Sequence, residues 1–311
     1  MEIKRLSKCT LDEAVMAWNK GFEGYFFDAT TDIDKFTKRL IGEGMLPSMS
    51  IIGFVNDSPS AIVLSGKRDV QGTSISWNGG TGVALQERGK GLGEKMIEHS
   101  LNIYEEEGVD AATLEAILEN EKAINLYKKM GYQIVDHIRH YALKGNWKLS
   151  HSKENKGIII KKADWPTVKR SGLYLTGAPW QAHWEHIQDA EIMVCLDHEE
   201  SILAYAIYKK MEDENGQIQR IGLFQANSHA NEAGKAALKE LLHVLYQAEH
   251  DSISRMAAYI QDSQSDVVDL LKEIGFETTV SQVMMAKSLT DKGKEYIDRV
   301  YSQINKQTSH S

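Results

Sequence analysis

The sequence predicts a mixed α/β (α+β) protein of two tandem domains, each a mixed, mostly antiparallel sheet flanked by helices. Runs of apolar residues joined by short turns, as at 48–54 and 60–66 around Asn56-Asp57-Ser58-Pro59, read as consecutive antiparallel strands. Other segments carry apolar residues at helical spacing, such as Leu92, Met96, Ile97, Leu101 and Tyr104. The duplication rests on a third signal: after a polar break, the same order of elements begins again. With 311 residues, 42% of them hydrophobic, the chain has the length and apolar material for two cores.

Residues 3–6 form the first expected strand. Thr10 is a good N-cap for a helix over 11–20, and Glu13 three residues on completes a capping box. Gly21 to Phe27 sets aromatic residues between glycines, which suits either a packed turn or a loop lining a substrate pocket. Thr31-Asp32 opens a helix to about Ile41. Strands over 48–54, 60–66 and 74–83 follow, then a helix over 91–106 that Gly108 stops. A strand over 111–117, a helix over 119–130 ended by Gly131 and a closing pair of strands over 132–143 complete a domain of residues 1–146.

The segment 147–157 has no apolar period and reads as a linker. A second domain, 158–290, repeats the pattern. It has a strand at 158–160, a helix over 164–173, strands over 190–196 and 201–209, and a hairpin turn at Asp213-Glu214-Asn215-Gly216. A strand over 217–226, a long helix over 230–247, a strand over 255–260, a helix over 265–274 stopped by Gly275, and closing strands over 276–289 follow. Residues 291–311 are expected to form a helix to about 304 and a frayed tail.

A net charge of -8 with no basic stripe argues against nucleic acid as a partner. No window approaches the roughly 20 apolar residues of a membrane span, and the N-terminus lacks a hydrophobic signal core. A soluble cytoplasmic protein with no membrane partner is the expectation. Cys9 and Cys195 lie far apart in apolar-leaning segments and read as two reduced thiols. No set of His, Cys or carboxylate residues has the spacing of a metal site: His99 sits in a helix, and His137 and His140 do not share a face of their strand.

The stretch that carries chemistry is 83–93, Val-Ala-Leu-Gln-Glu-Arg-Gly-Lys-Gly-Leu-Gly. A strand that turns through glycines into a helix points backbone N–H groups outward at the helix's positive end, which suits a phosphate, and Arg88 and Lys90 add charge beside it. A nucleotide-triphosphatase loop needs glycine where Ala84 stands and Ser or Thr where Gly91 stands. A dinucleotide fingerprint needs glycine or alanine at Glu94 or Met96. Neither template fits.

Arg88-x-x-Gly91-x-Gly93, with Val83 at the usual interval before it, resembles the central motif of the GNAT superfamily of N-acetyltransferases. Asn120-x-x-Ala123-x-x-Leu126-Tyr127-x-x-x-Gly131-Tyr132 is similar to a second signature of that family at every marked position. The spacing has a meaning of its own, since Asn120, Ala123, Ile124 and Tyr127 share one helix face along which a slim, amide-bearing chain can lie.

The resemblance, which covers residues 1 to about 146, implies an N-acetyltransferase with acetyl-CoA (coenzyme A) as co-substrate and no metal. Acetyl passes to a primary amine of a small molecule or peptide by direct attack on the thioester. It further implies that Val83, Ala84, Leu85, Arg88, Gly89, Lys90, Gly91, Leu92, Gly93, Asn120 and Ala123 bind that co-substrate, with backbone N–H groups at 83–85 polarising the carbonyl. Tyr127, whose phenol keeps its proton at neutral pH, is then the general acid for the departing thiolate. On its own, Tyr127 also reads as a core aromatic, and Lys90 as a solvated charge.

Glu23, Tyr25, Trp77 and Asn78 are candidate acceptor contacts, with Trp77 also suited to core packing. Glu23, Asp28 and Glu94 are candidate bases or ordinary surface carboxylates, and a water relay needs none of them. In the second domain, Asn231-Glu232-Ala233-Gly234-Lys235-Ala236 stands where 88–93 does and lacks the arginine and two glycines. Aligning Gly275-Phe276 with Gly131-Tyr132 puts Leu271 in place of Tyr127 and Gln264 in place of Asn120. That half is expected to perform no acetyl transfer. A non-catalytic acyl-CoA-binding sensor or interaction protein is the other class the residues allow, and Tyr127 discriminates, because a pure binder has little use for it. The residues identify neither the acceptor, the acyl-chain preference nor the oligomeric state.

Overall fold

The computed structural model describes residues 1–149, 157–250 and 252–301. In chain order the strands and helices are β1 (Glu2–Arg5), α1 (Leu11–Gly21), α2 (Ile33–Gly42), β2 (Ile51–Val55), β3 (Ser58–Val70), β4 (Thr73–Val83), α3 (Leu92–Glu106), β5 (Ala111–Ile117), α4 (Glu121–Lys129) and β6 (Gln133–Leu143). There follow β7 (Ile159–Ala163), α5 (Trp165–Arg170), β8 (Glu191–Leu196), β9 (Ile202–Glu212), β10 (Ile218–Ser228), α6 (Glu232–Leu245), β11 (Ser254–Gln261), α7 (Ser265–Ile274), β12 (Phe276–Ser288) and α8 (Asp291–Tyr301). The fold is mixed α/β with mostly antiparallel strand pairing.

The chain divides into two compact units, one of Met1–Val135 with the residues from Val283 on, the other of Asp136–Gln282. The division falls inside β6 and inside β12, whereas the sequence reading separates the domains at a 147–157 linker, of which 150–156 lie outside the described residues. The expected closing hairpins are the reason for the difference. A pair of strands is expected over 132–143 and closing strands over 276–289, but each is one long strand, β6 and β12. Neither contains glycine, proline or asparagine at which a hairpin turns, so each strand runs on. The expected end of α8 at 304 and the tail lie outside the described residues.

In the first unit the strand order is β1-β2-β3-β4-β5, completed by the C-terminal part of β12. Thr10 and Glu13 form the expected capping box on α1: the Thr10 hydroxyl accepts from the Glu13 amide at 3.1 Å, and the Glu13 carboxylate accepts from the Thr10 amide at 2.7 Å. The core gathers Ile51, Val63, Met96, Ile97, Tyr104, Leu114, Ile124 and Met285. A fully buried side chain of this size stabilises by about 1.5–3 kcal/mol before entropy is counted. A deep polar pair in this core is satisfied, Tyr104 Oη lying 2.7 Å from Ser65 Oγ. Helix α8 packs on β4 and β5, where Gly293 is needed because a Cβ there would sit 1.8 Å from the Asp110 carbonyl.

Two features of this sheet position the site. Strand β4 pairs in parallel with β5 only from Ile75↔Ala111 to Asn78↔Leu114, yet β4 runs on to Val83 and β5 to Ile117, so the strands part beyond Asn78 and Leu114. Just there the β3–β4 register shifts, from Leu64↔Gly80 to Ser65↔Asn78, leaving Gly79 as an extra residue in a bulge. A Cβ at Gly79 would lie 2.0 Å from Met45 Cε and 2.5 Å from the Trp77 ring, so only glycine fits. Arg39 of α2 clamps the bulge by donating to the Gly79 carbonyl at 2.7 Å.

The second unit has strand order β6-β11-β10-β9-β8-β7. Its larger core lies under α6 and α7, with Leu238, Leu241, Leu242, Leu271 and Ile274 packed on Ala206, Tyr208, Leu223 and Ile260. Where the first unit has α1 and α2, the second has only the short α5 and two 3-10 turns, Trp180–Ala182 and Trp184–His186.

Candidate functional site

Strand β4 leads through the 3-10 turn Leu85–Glu87 into Gly89 and Gly91, both left-handed at φ 78° and 82°. Nothing lies within 4 Å of a Cβ built at either, so backbone conformation rather than space selects glycine there. Gly91 is the N-cap of α3 and brings no capping side chain. Among the described residues, the amides of Gly89 to Glu94 therefore have no partner within the chain, the first in-register bond being Lys95 N to Gly91 O at 3.2 Å. Six adjacent donors thus stand at the positive end of a fifteen-residue helix, an arrangement that suits an anion. Gly93 packs at ordinary distance on Leu126 and Val83, which brings α3 beside α4.

The charged side chains of the turn are arranged differently from the expectation. The Arg88 guanidinium donates to three main-chain carbonyls, Val83 O at 2.8 Å and Gly21 O and Glu23 O at 3.0 Å each, so it faces protein rather than an anion. Lys90 is exposed and lies 3.4 Å from Glu87. Ala84 is buried and its amide already donates to Ser60 O at 2.8 Å, which removes one of the three amides expected to polarise a carbonyl. Glu94 pairs with Lys129 at 2.7 Å and is thereby drawn away from the base role considered for it.

Tyr127 lies on the buried face of α4 at 7% exposure, its ring set edge-on to Tyr132. Burial pushes its phenol up to about 12, opposed by the nearby Thr81 hydroxyl. Thr81 belongs to the part of β4 beyond the β5 pairing and is fixed by Asn78, whose Nδ2 donates to it at 2.8 Å while the Asn78 carbonyl also takes the Gly80 amide. The phenol thus stands where β4 and β5 separate. Asn78, expected as an acceptor contact, is buried and holds Thr81. Asn120 is the N-cap of α4, its Oδ1 accepting from the Ala123 amide at 3.3 Å.

Tyr25 sits in a loop of stacked rings after α1. Trp18 and Phe22 stack at 4.1 Å, Phe22 meets Tyr25 edge-on, and Phe26 and Phe27 flank Tyr25 while standing 56% and 58% exposed. Asn19, Phe22, Glu23, Tyr25, Phe27 and Asp28 line a cavity of about 260 Å³ with no basic residue in its wall. Bonds to Thr30 lower the pKa of the Asp28 carboxyl and keep it ionised. Glu23 and Tyr25 are thus together in the wall of this cavity. Trp77 is elsewhere: it is 2% exposed in the core and donates its indole N–H to Glu115.

The sequence reading missed Thr81, Gly79 and Glu115. Gly79 lies in Asn78-Gly79-Gly80-Thr81, where two glycines inside a strand are a bulge signal. Nothing local distinguishes Thr81 or Glu115, whose importance arises only from the parting of β4 and β5. Among the described residues, no three His, Cys, Asp or Glu side chains converge as a metal site, and no helix is long and apolar enough to cross a membrane.

A strand, glycine turn, uncapped helix and tyrosine-bearing second helix, set where two parallel strands part, define an acetyltransferase-type fold. Residues 16–132, within the first unit, match the profile of the acetyltransferase (GNAT) family. N-alpha-acetyltransferase 50 of Danio rerio is 30% identical over 109 residues, 35% of this chain, and the chain spans 63% of the length of that curated relative. Among solved structures, a GCN5-related N-acetyltransferase from Sphaerobacter thermophilus superposes with a TM-score of 0.60 at 12% identity, over 93% of this chain and 96% of that one. A tandem GNAT protein from the clavulanic acid biosynthesis pathway gives 0.59 at 11% identity, over 92% and 98%. These two likenesses extend the shared fold across both halves.

Proposed function

We propose that the first unit is an acetyl-CoA-dependent N-acetyltransferase that acts on a primary amine of a small molecule or peptide, and that the second unit transfers nothing. The observation that carries this reading is the uncapped start of α3 beside a buried, protonated tyrosine at the opening of β4 and β5. The unpaired amides of Gly89 to Glu94, with Lys90 nearby, suit the anionic pyrophosphate end of coenzyme A. The helix face of Ala123 and Tyr127, next to Asn120, suits its slim amide-bearing arm. Bound acetyl-CoA supplies an activated acyl group. The chain's own part is to fix it, to exclude water, and to keep a proton on Tyr127 Oη.

With its phenol held at about 12, Tyr127 carries that proton throughout the neutral range. The same shift makes it a weaker acid than an exposed tyrosine, so hydrogen bonding to the leaving sulfur is the larger part of its contribution. The acidic, aromatic cavity beside Tyr25 receives the amine, with Glu23 and Asp28 attracting a cationic group. The electrophilic carbonyl is polarised by the main chain at Val83 and Leu85, since the Ala84 amide is in use.

Release of free thiol from acetyl-CoA over a panel of amines tests the reading directly. The expected result is acceptor-dependent release, with one coenzyme A bound per chain in a calorimetric titration. Binding without release for any acceptor favours a sensor instead, and two equivalent sites overturn the assignment of the second unit.

A further inference from the structure

We propose that Arg88 is a positioning residue that straps the aromatic acceptor loop to the glycine turn, rather than a charge that meets the phosphates. The inference deepens the acetyltransferase reading and takes from it that the turn holds coenzyme A.

The three carbonyls that Arg88 holds come from three places. Val83 O ends β4, Gly21 O ends α1, and Glu23 O lies in the loop that carries Tyr25. Gly21 is the last residue of its helix, so its carbonyl is one of those that a helix leaves without an internal partner, and a cation there also complements the negative end of the helix dipole. The surrounding packing leaves little slack. A Cβ at Gly21 would lie 2.9 Å from the Gly82 backbone, one at Gly82 would lie 2.9 Å from the Phe22 ring, and one at Gly80 would lie 2.9 Å from the Trp18 ring. The end of α1 thus lies backbone against backbone on β4, with aromatic rings laid over glycines.

Beyond that seam the loop has few ties. Trp18 donates to Ala29 O at 2.8 Å, and Asn19 bonds Thr31 through both its donor and its acceptor. Between Phe22 and Asp28, the charge-assisted bond from Arg88 to Glu23 O is the strong link. Arg88 immediately precedes the left-handed Gly89, so its Cα belongs to the anion turn while its guanidinium belongs to the acceptor loop. The order of the loop is thereby coupled to the geometry of the turn. A planar fork is needed to reach Gly21 O and Glu23 O from one nitrogen and Val83 O from another, and a lysine cannot reproduce it.

Arg88→Lys and Arg88→Met separate charge from shape. Hydrogen exchange of the amides in 21–30 should rise about tenfold in both variants, the scale of a lost charge-assisted bond, while exchange in α3 and β5 stays as in the unmodified chain and reports an intact fold. Coenzyme A affinity by calorimetry should stay within about twofold, and KM for the amine should rise several-fold more than kcat falls. If the lysine variant restores normal exchange in 21–30, or if the methionine variant weakens coenzyme A about tenfold with the loop unchanged, Arg88 is a phosphate ligand and the strap is overturned. Failure of the unmodified chain to bind coenzyme A sinks the acetyltransferase reading alone, because the exchange comparison still decides the strap.

Discussion

The two halves of the chain make the same opening and treat it in opposite ways. In each, a strand pairs in parallel with a later one and then parts from it, beyond Asn78 and Leu114 in the first unit and beyond Leu223 and Ala257 in the second. In each, the neighbouring antiparallel register shifts close by, at Gly79 in one and at Phe224 in the other. The helices that follow differ. Helix α3 starts at a left-handed glycine with no cap, whereas α6 starts at Asn231, whose side chain accepts from Gly234 N at 2.8 Å.

Gly234 is glycine for lack of room, since a Cβ there would stand 2.0 Å from His229 O. A good N-cap and an anion site compete for the same amides. An uncapped helix end leaves its amides open to a ligand, and a glycine count alone does not reveal it. The position of Tyr127 diverges likewise: the tyrosine carries a hydroxyl to the opening, and Leu271 is a fully buried core residue.

The contrast is most exposed at the acid. Tyr127→Phe should lower turnover at least about tenfold, and up to the roughly hundredfold typical of a lost general acid, with coenzyme A affinity nearly unchanged. Unaltered turnover in steady-state kinetics would remove Tyr127 from the mechanism. Gly91→Val asks a β-branched residue to hold φ 82° at the mouth of the turn, a strain of about 1–3 kcal/mol. It should weaken coenzyme A binding by about tenfold in calorimetry, and full affinity would mean that the left-handed turn does not shape the site.

In the second half, Asn231→Ala removes a cap worth about 1 kcal/mol and should lower the urea midpoint without creating a second coenzyme A site. A stoichiometry of two in that variant would show that the cap alone closes the second cradle. The smallest effect concerns pH. Burial raises the Tyr127 pKa from 10.0 to about 12, so the protonated acid persists as pH rises and turnover should climb with amine deprotonation and hold to at least pH 10. A falling limb in the kcat profile centred below that value would assign the proton to another group.

Much of this was legible before any coordinates, because it is local. The capping box at Thr10 and Glu13, the stops at Gly108 and Gly131, and the shared face of Asn120, Ala123 and Tyr127 depend only on neighbouring residues. The lost tyrosine at Leu271 was equally plain. Arg88 shows where local reading ends: its motif position suggests a phosphate contact, but its partners at Gly21 and Glu23 are more than sixty residues away. Trp77 and Asn78 read as pocket candidates because they precede the turn, and only the bulge at Gly79 decides that one enters the core and the other fixes Thr81. The long strands β6 and β12 were misread as hairpins although both lack turn residues. Duplication suggested that each half should close on itself, and strand pairing carries no local mark of which sheet a strand joins.

The C-terminal part of β12 is the feature with the widest reach. Because the strand beside β5 is the end of β12, the unit that bears the anion turn lacks a sheet member until residues 283–288 have been synthesised. At a translation rate of about 5–20 residues per second, the stretch between Val135 and Val283 imposes a wait of roughly 7 to 30 s. During it the edge of β5 is unpaired and open to wrong partners. The 1–146 piece that motif reading marks out as an enzyme is thus an unfinished sheet. Its expression alone should yield aggregation rather than a minimal transferase, and a nascent chain released early should be a client for chaperones.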